Sequence, residues 1–271
     1  GGACTTSTTS CVVTGLTNGT AYTFTVKATN AAGDSPASAP STSVTPATVP
    51  GAPTGLSGVA GNAQVTVSWT TPASTGGSAI TAYTVTASNG FTCSTSTTSC
   101  VVSGLANGTA YTFSVVATNA AGDGPAGTSG SVTPFTVPGA PTGVSGVAGN
   151  TQVTVSWTAP ASTGGSNITG YTVTAIGGSG GTCSAVAPAT SCPVTGLTNG
   201  TAYTFTVTAA NAAGSSVASA PSSNVTPFTV PDAPTAVSGV PGNAQVTVNW
   251  TAPTNTGGSA ITGYTVTASG G

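Results

Sequence analysis

One block of sequence occurs three times in this chain, and its spacing favours a series of similar small modules. The block reads Gly-Ala-Pro-Thr-Gly at residues 51–55 and at 139–143, and Asp-Ala-Pro-Thr-Ala at 232–236. The copies therefore begin 88 residues apart (51 to 139) and then 93 residues apart (139 to 232). A period of this length is the size of a small domain, so the chain is predicted to be a tandem array.

The period divides the 271 residues into four segments. Residues 50–137 and 138–230 are complete copies, residues 1–49 match the second half of a copy, and residues 231–271 match the first half. Half of a two-layer domain cannot bury a core alone, so we expect strands from elsewhere to complete each half. A longer tandem chain or a second copy joined head to tail would supply them. The chain opens on Gly1 without a signal peptide, which indicates a processed product or an excerpt.

Within one copy, apolar and polar residues alternate with the period of a β-strand. Val65, Val67 and Trp69 alternate with Thr and Ser, and the same alternation runs from Tyr111 to Ala117. Turn-forming stretches rich in Gly, Pro, Asn and Ser separate these runs. About seven short strands in about 90 residues predict a β-sandwich, with the last strand at 131–133.

The chain resembles the fibronectin type III family over essentially its whole length. Each complete copy carries an early Trp, a Gly-Gly-x-x-Ile-Thr-x-Tyr segment, a Leu-x-x-Gly-Thr-x-Tyr corner and an Asn-x-x-Gly hairpin. The resemblance implies an all-β fold of tandem immunoglobulin-like sandwiches, seven strands each, arranged as a rod. It also implies core tryptophans and corner tyrosines that bond to nearby backbone; these are Trp69, Trp157, Trp250, Tyr22, Tyr111 and Tyr203.

Six cysteines form three local pairs, one in each second half of the repeat. The predicted disulfides join Cys4 to Cys11, Cys93 to Cys100, and Cys183 to Cys192. A zinc site would need CxxC clusters or histidines, and the sequence has neither. The short spacings predict that each bond clips a hairpin. Disulfides on a small repeated unit indicate an oxidising compartment, either extracellular or at the cell surface.

Charge is almost absent from the chain, and this excludes several functions. The sequence contains one cation, Lys27, three acids, Asp34, Asp123 and Asp232, and no histidine. Nucleic-acid binding needs clusters of Lys and Arg, and a membrane-spanning helix needs a long apolar run; neither is present. Without His or Glu, no acid–base pair or activated nucleophile can be assembled. We therefore predict no enzyme activity, no metal and no cofactor.

Two surface features are candidate recognition sites. The Asn-Gly-Thr turn is an N-glycan sequon at Asn18, Asn107 and Asn199, although a tight turn alone explains its recurrence. The Gly33-Asp34-Ser35 hairpin resembles the integrin-binding loop of one family member, but Ala32 stands where that loop has arginine. A turn-favouring Asp explains this loop better than receptor binding does.

These observations predict an extracellular structural protein that forms a filament or surface stalk from serial modules. Its partner would be itself, through chain continuation or head-to-tail completion of the split modules, with glycans as a further candidate partner. The alternative is an adhesin, or carbohydrate-binding or spacer modules of a secreted polysaccharide-degrading enzyme. Because the tryptophans fall at core positions, the sequence supports sugar binding weakly.

Overall fold

The computed structural model describes residues 2–270, and these form strands and loops without a helix. The chain divides into two compact units between Phe135 and Thr136. Each unit contains one complete repeat and one half-repeat. All strand pairs within the units are antiparallel.

The complete repeat of the first unit is a sandwich of two sheets. The first sheet has the order β3-β4-β7, and the second has the order β6-β5-β8 with β9 and β10 both paired to β8. The strands of this unit are β1 Thr29–Asn30, β2 Gly33–Asp34, β3 Thr54–Gly61, β4 Gln64–Thr70, β5 Ile80–Ala87, β6 Thr92–Thr95, β7 Ser99–Ser103, β8 Phe113–Asn119, β9 Gly122–Asp123 and β10 Gly127–Thr128.

The second unit repeats this topology. Its complete repeat has the sheet orders β11-β12-β15 and β14-β13-β16-β17. The strands are β11 Thr142–Gly149, β12 Gln152–Thr158, β13 Gly170–Ile176, β14 Thr182–Val186, β15 Ser191–Thr195, β16 Thr204–Asn211, β17 Gly214–Ser215, β18 Thr235–Gly242 and β19 Gln245–Thr251.

Alternation along the strands builds one core in each complete repeat. In β4, Val65, Val67 and Trp69 are buried while the alternating Thr66 and Ser68 are partly exposed. The partner sheet contributes buried residues at every second position of β5 and β8. The second core has the same composition: Val153, Val155, Trp157, Tyr171, Val173, Val194, Leu197, Tyr203, Phe205 and Val207. The predicted sandwich is therefore the observed fold.

The last strand of the sandwich differs from the prediction. At the predicted position, Val132 forms only an isolated bridge to Tyr111, and the segment before it pairs with β8 in the short pieces β9 and β10. In the second unit, residues 216–222 run beside β16 without forming a regular strand. Serine hydroxyls there replace main-chain acceptors, as described below.

The half-repeats expose residues that the complete repeats bury. In residues 2–49, Val26 is 71% exposed, whereas its equivalent Val115 in β8 is fully buried. In residues 231–270, Val246 is 60% exposed, whereas its equivalent Val65 is fully buried. Each half thus exposes apolar side chains at positions that a complete repeat buries.

Candidate functional site

The disulfides of the two complete repeats connect the two sheets of a module. Cys93 lies in β6, which pairs with β5, whereas Cys100 lies in β7, which pairs with β4 of the other sheet. Cys183 in β14 and Cys192 in β15 have the same arrangement, and Cys4 is bonded to Cys11. The expectation of a hairpin clip is wrong, because consecutive strands here belong to different sheets. Each bond in a complete repeat closes one open side of the sandwich.

Replacing both Cys93 and Cys100 by alanine is expected to lower the free energy of unfolding of residues 50–137 by about 2–2.5 kcal/mol, because a short loop is no longer closed in the unfolded chain. Urea unfolding followed by the NMR signals of β4 measures this loss. The signals of β12 are the internal control and should keep their midpoint. An unchanged midpoint for β4 would contradict the prediction.

Trp69 and Trp157 lie in the cores of the complete repeats, each packed on a tyrosine of the neighbouring sheet. The ring centroids of Trp69 and Tyr83 are 5.3 Å apart, and those of Trp157 and Tyr171 are 5.2 Å apart. Trp250 meets Tyr264 at 5.2 Å in a half-repeat. Burial raises the pKa of Tyr83. Trp69 and Trp157 are therefore unavailable as a flat surface for stacking sugars.

The corner tyrosines each accept a hydrogen bond from the backbone five residues earlier. The N–H groups of Thr17, Ala106 and Thr198 donate to the Oη atoms of Tyr22, Tyr111 and Tyr203, each at 3.0 Å. Because such a bond favours the phenolate, it lowers the pKa of Tyr22 and of Tyr203. The bond closes the turn that follows the leucine of each corner, which is Leu16, Leu105 or Leu197.

The sequon side chains of the complete repeats are part of the fold. Oδ1 of Asn199 accepts from the N–H of Thr151 at 2.9 Å, and its Nδ2 donates to Oδ1 of Asn150 at 2.8 Å. Asn107 holds the equivalent Asn62-Ala63 turn in the same way. Asn18 is exposed, in a half-repeat that lacks this hairpin. These two carboxamides therefore fasten the first hairpin of each complete repeat.

The hairpin turn held by Asn199 contains a residue in the left-handed region. Thr151 has a φ of 53°, which costs a β-branched residue about 1–2 kcal/mol. Thr151→Gly is expected to raise the free energy of unfolding of residues 138–230 by about 1 kcal/mol, measured by urea denaturation. Thr154→Gly, in the middle of β12, should lower it. A destabilised Thr151→Gly variant would contradict this account.

Two of the three acidic side chains, those of Asp34 and Asp123, occupy structural positions in hairpins. The hydroxyl of Thr29 donates to Oδ1 of Asp34 at 2.7 Å, and that of Thr118 donates to Oδ1 of Asp123 at 2.6 Å. Within residues 2–270, no group of three or more His, Cys, Asp or Glu side chains lies close enough to hold a metal ion. The part of the chain described here also has no helix long and apolar enough to cross a membrane.

Sequence reasoning missed a buried amide at the last residue of β8, Asn119, and of β16, Asn211. Nδ2 of Asn211 donates to the carbonyl oxygens of Thr136, at 2.7 Å, and Thr163, at 2.8 Å. Oδ1 of the same side chain accepts from the N–H of Ala213 at 2.8 Å. The recurring Asn-Ala-Ala-Gly block was the available signal, and it predicted only the chain reversal.

The family assignment follows from comparison with known domains. The model of the fibronectin type III domain matches residues 2–44, 51–133 and 139–225. The chain belongs to the fibronectin type III family. Its tandem sandwiches, core tryptophans and corner tyrosines are thus features of a shared fold.

Proteins similar to this chain include two exoglucanases and a chitinase. Exoglucanase B of Cellulomonas fimi is 33% identical over 81% of this chain and 21% of its own length. Exoglucanase A of the same species is 42% identical over 78% of this chain and 26% of its own length. Chitinase A1 of Niallia circulans is 34% identical over 42% of this chain and 17% of its own length. The chain spans about a quarter or less of these relatives.

Proposed function

We propose that these residues form a non-catalytic spacer in a secreted polysaccharide-degrading enzyme, whose catalytic domain lies outside them. The observation that carries this proposal is the match to both exoglucanases, which extends over about four fifths of this chain but only 21% and 26% of the two enzymes. A segment similar to a small part of two large enzymes fits an accessory module.

The chemistry of the chain supports a spacer over a catalyst. The sequence has no histidine and only three acids, and both aspartates in hairpins accept a hydrogen bond from a neighbouring threonine. Acid–base hydrolysis of a glycosidic bond needs two carboxyl groups facing the substrate. The three disulfides favour an extracellular location.

A retention assay on insoluble polysaccharides tests the non-binding, non-catalytic role. The purified 271-residue chain is mixed with crystalline cellulose or chitin, and the bound fraction and released sugars are measured. We expect no saturable retention, because Trp69 and Trp157 are buried, and no sugar release, because the chain lacks a pair of carboxyl groups facing a substrate. Saturable retention would favour a carbohydrate-binding module, and sugar release would contradict the non-catalytic role.

A filament or surface stalk is the second candidate, and the repetition of the module favours it. The fibronectin type III model matches three successive stretches, residues 2–44, 51–133 and 139–225. Head-to-tail pairing of modules from successive copies would extend such a series into a fibre. Electron microscopy of the native material distinguishes fibres from dispersed enzyme molecules.

A further inference from the structure

The linker at residues 46–51 has hydrogen bonds to the repeats on both of its sides. The N–H of Gly19, in the preceding half-repeat, donates to the carbonyl of Pro46 at 2.9 Å. Two residues later, the N–H of Thr48 donates to the carbonyl of Gly76, in the following repeat, at 2.9 Å. The linker therefore passes from one repeat to the next with its main chain bonded to both.

A buried side chain also holds this linker. Nδ2 of Asn119 donates to the carbonyl oxygens of Thr48, at 2.8 Å, and Thr75, at 2.7 Å. Asn119 is only 4% exposed. Both main-chain polar groups of Thr48 thus have partners in the following repeat, which a freely moving tether would not require.

Two glycines allow the neighbouring repeats to touch through their main chains. Gly76 and Gly77 have φ values of 73° and 88°, and each lies against backbone from before the repeat. A Cβ on Gly76 would collide with the carbonyl oxygen of Thr48, and one on Gly77 with the backbone nitrogen of Gly19. The Asn-Gly turn of one repeat therefore fits directly against the Gly-Gly turn of the next.

The linker at residues 227–232 repeats this arrangement in the second unit. The N–H of Gly200 donates to the carbonyl of Pro227 at 2.9 Å, and the N–H of Thr229 donates to the carbonyl of Gly257 at 2.8 Å. A Cβ on Gly258 would collide with the backbone nitrogen of Gly200. The same main-chain contacts recur although the two linkers differ in sequence, Ala47 in the first corresponding to Phe228 in the second.

We propose that each of these two linkers is a fixed joint, in which the Gly-Gly turn is a docking surface for the Asn-Gly turn of the preceding repeat. The prolines at both ends of the linker restrict its backbone further. The Gly-Gly turn fits a partner that presents bare main chain at the contact, as the glycine of an Asn-Gly turn does. The joint holds whether the array serves as an enzyme spacer or as a filament.

The joint is tested by ¹⁵N relaxation on the full chain. Backbone order parameters of Thr48 and Thr229 should be about 0.85, the value of rigid backbone. In Gly77→Ala, the value at Thr48 should fall below about 0.6, as in flexible segments, while that at Thr229 stays unchanged. Gly90→Ala is the matched control, because Gly90 has a similar φ of 91° and no neighbouring atom within 4 Å of an added Cβ.

Two results would overturn the proposal. One is an order parameter below about 0.6 at Thr48 or Thr229 in the unaltered chain. The other is a Gly77→Ala variant in which Thr48 stays rigid while the signals of β4 remain native.

If the variant fails to fold, hydrogen exchange in the unaltered chain decides: slow exchange of the Thr48 and Thr229 amides supports the joint, and exchange at the rate of a free peptide refutes it. A flexible linker would leave the spacer function possible, so the two proposals fail separately.

Discussion

Asn211→Asp is expected to lower the free energy of unfolding of residues 138–230 by about 3 kcal/mol, the largest effect of a single substitution considered for this chain. The aspartate keeps the acceptor for the Ala213 N–H but loses both donors to Thr136 and Thr163. Two carbonyl oxygens then lose their partner, and a carboxylate oxygen faces them at a site only 7% exposed.

Acid should partly restore the Asn211→Asp variant. Burial and the facing carbonyls raise the pKa of the new carboxyl above the usual value of about 3.9. A group whose pKa is raised on folding contributes its stability below the unfolded pKa and loses it as the pH rises through the folded pKa. The deficit relative to the unaltered chain should therefore shrink as the pH falls through the raised pKa and be smallest below about pH 4.

Urea denaturation at pH 7 and pH 3.5, followed by the NMR signals of β12, measures both effects. Asn167→Asp is the control, because Asn167 is exposed and has no such bonds to the linker. A loss below about 1 kcal/mol at pH 7 would mean that the amide contributes no more than an ordinary hydrogen bond.

Replacing Ser216, Ser219 and Ser222 together by alanine is expected to cost the same repeat about 4 kcal/mol, since each change leaves a buried strand N–H without its acceptor at about 1–3 kcal/mol. The three serine hydroxyls accept from the N–H groups of Ala209, Val207 and Phe205, each at 3.0 Å. Each hydroxyl also donates to the carbonyl of the residue that follows it. All three serines are 6–7% exposed.

Ser216, Ser219 and Ser222 form a ladder of hydrogen bonds that covers the edge of β16. The backbone N–H of each serine donates to the same β16 residue from which its hydroxyl accepts, so three residues of the segment span two of the strand. Unpaired strand edges are templates for aggregation. This matters for a chain with 1% charged residues, because charge repulsion between molecules is weak.

The triple variant is measured by urea denaturation and by light scattering at increasing concentration. Ser223→Ala, at an exposed position of the same segment, is the control and should change stability by less than about 0.5 kcal/mol. We expect the triple variant to scatter more light because β16 regains free N–H groups. A triple variant as stable and as monodisperse as the control would show that the hydroxyls are dispensable.

Local patterns were sufficient to predict the sandwich, because strand alternation and turn residues act over a few positions. Val65, Val67 and Trp69 point to one core as their spacing requires. Which strands pair with each other depends on the order of strands in the sheets, and this could not be predicted from local patterns. Cys93 and Cys100 lie on consecutive strands that resemble a hairpin in sequence, yet those strands pair with β5 and β4 in different sheets.

The bonds of Asn211 and of the serines beside β16 could not be predicted from the sequence for a related reason. Asn211 bonds to carbonyls 75 and 48 residues earlier, and no local pattern specifies such distant partners. The serines at 216, 219 and 222 recur every third residue, which matches neither the strand period of two nor a helix. Repetition was the available signal, because Ser35, Ser38 and Ser41 occupy the same positions in the first half-repeat.

The size and activity of the native secreted polypeptide test the spacer account most directly. An antibody raised against residues 50–230 captures that polypeptide from culture supernatant, and its denatured mass and glycan-hydrolysing activity are measured. The account predicts a polypeptide well above the 25.2 kDa of these residues, with hydrolytic activity that co-purifies. A band near 25.2 kDa, or a larger one in fibres without hydrolytic activity, would contradict it and favour the filament.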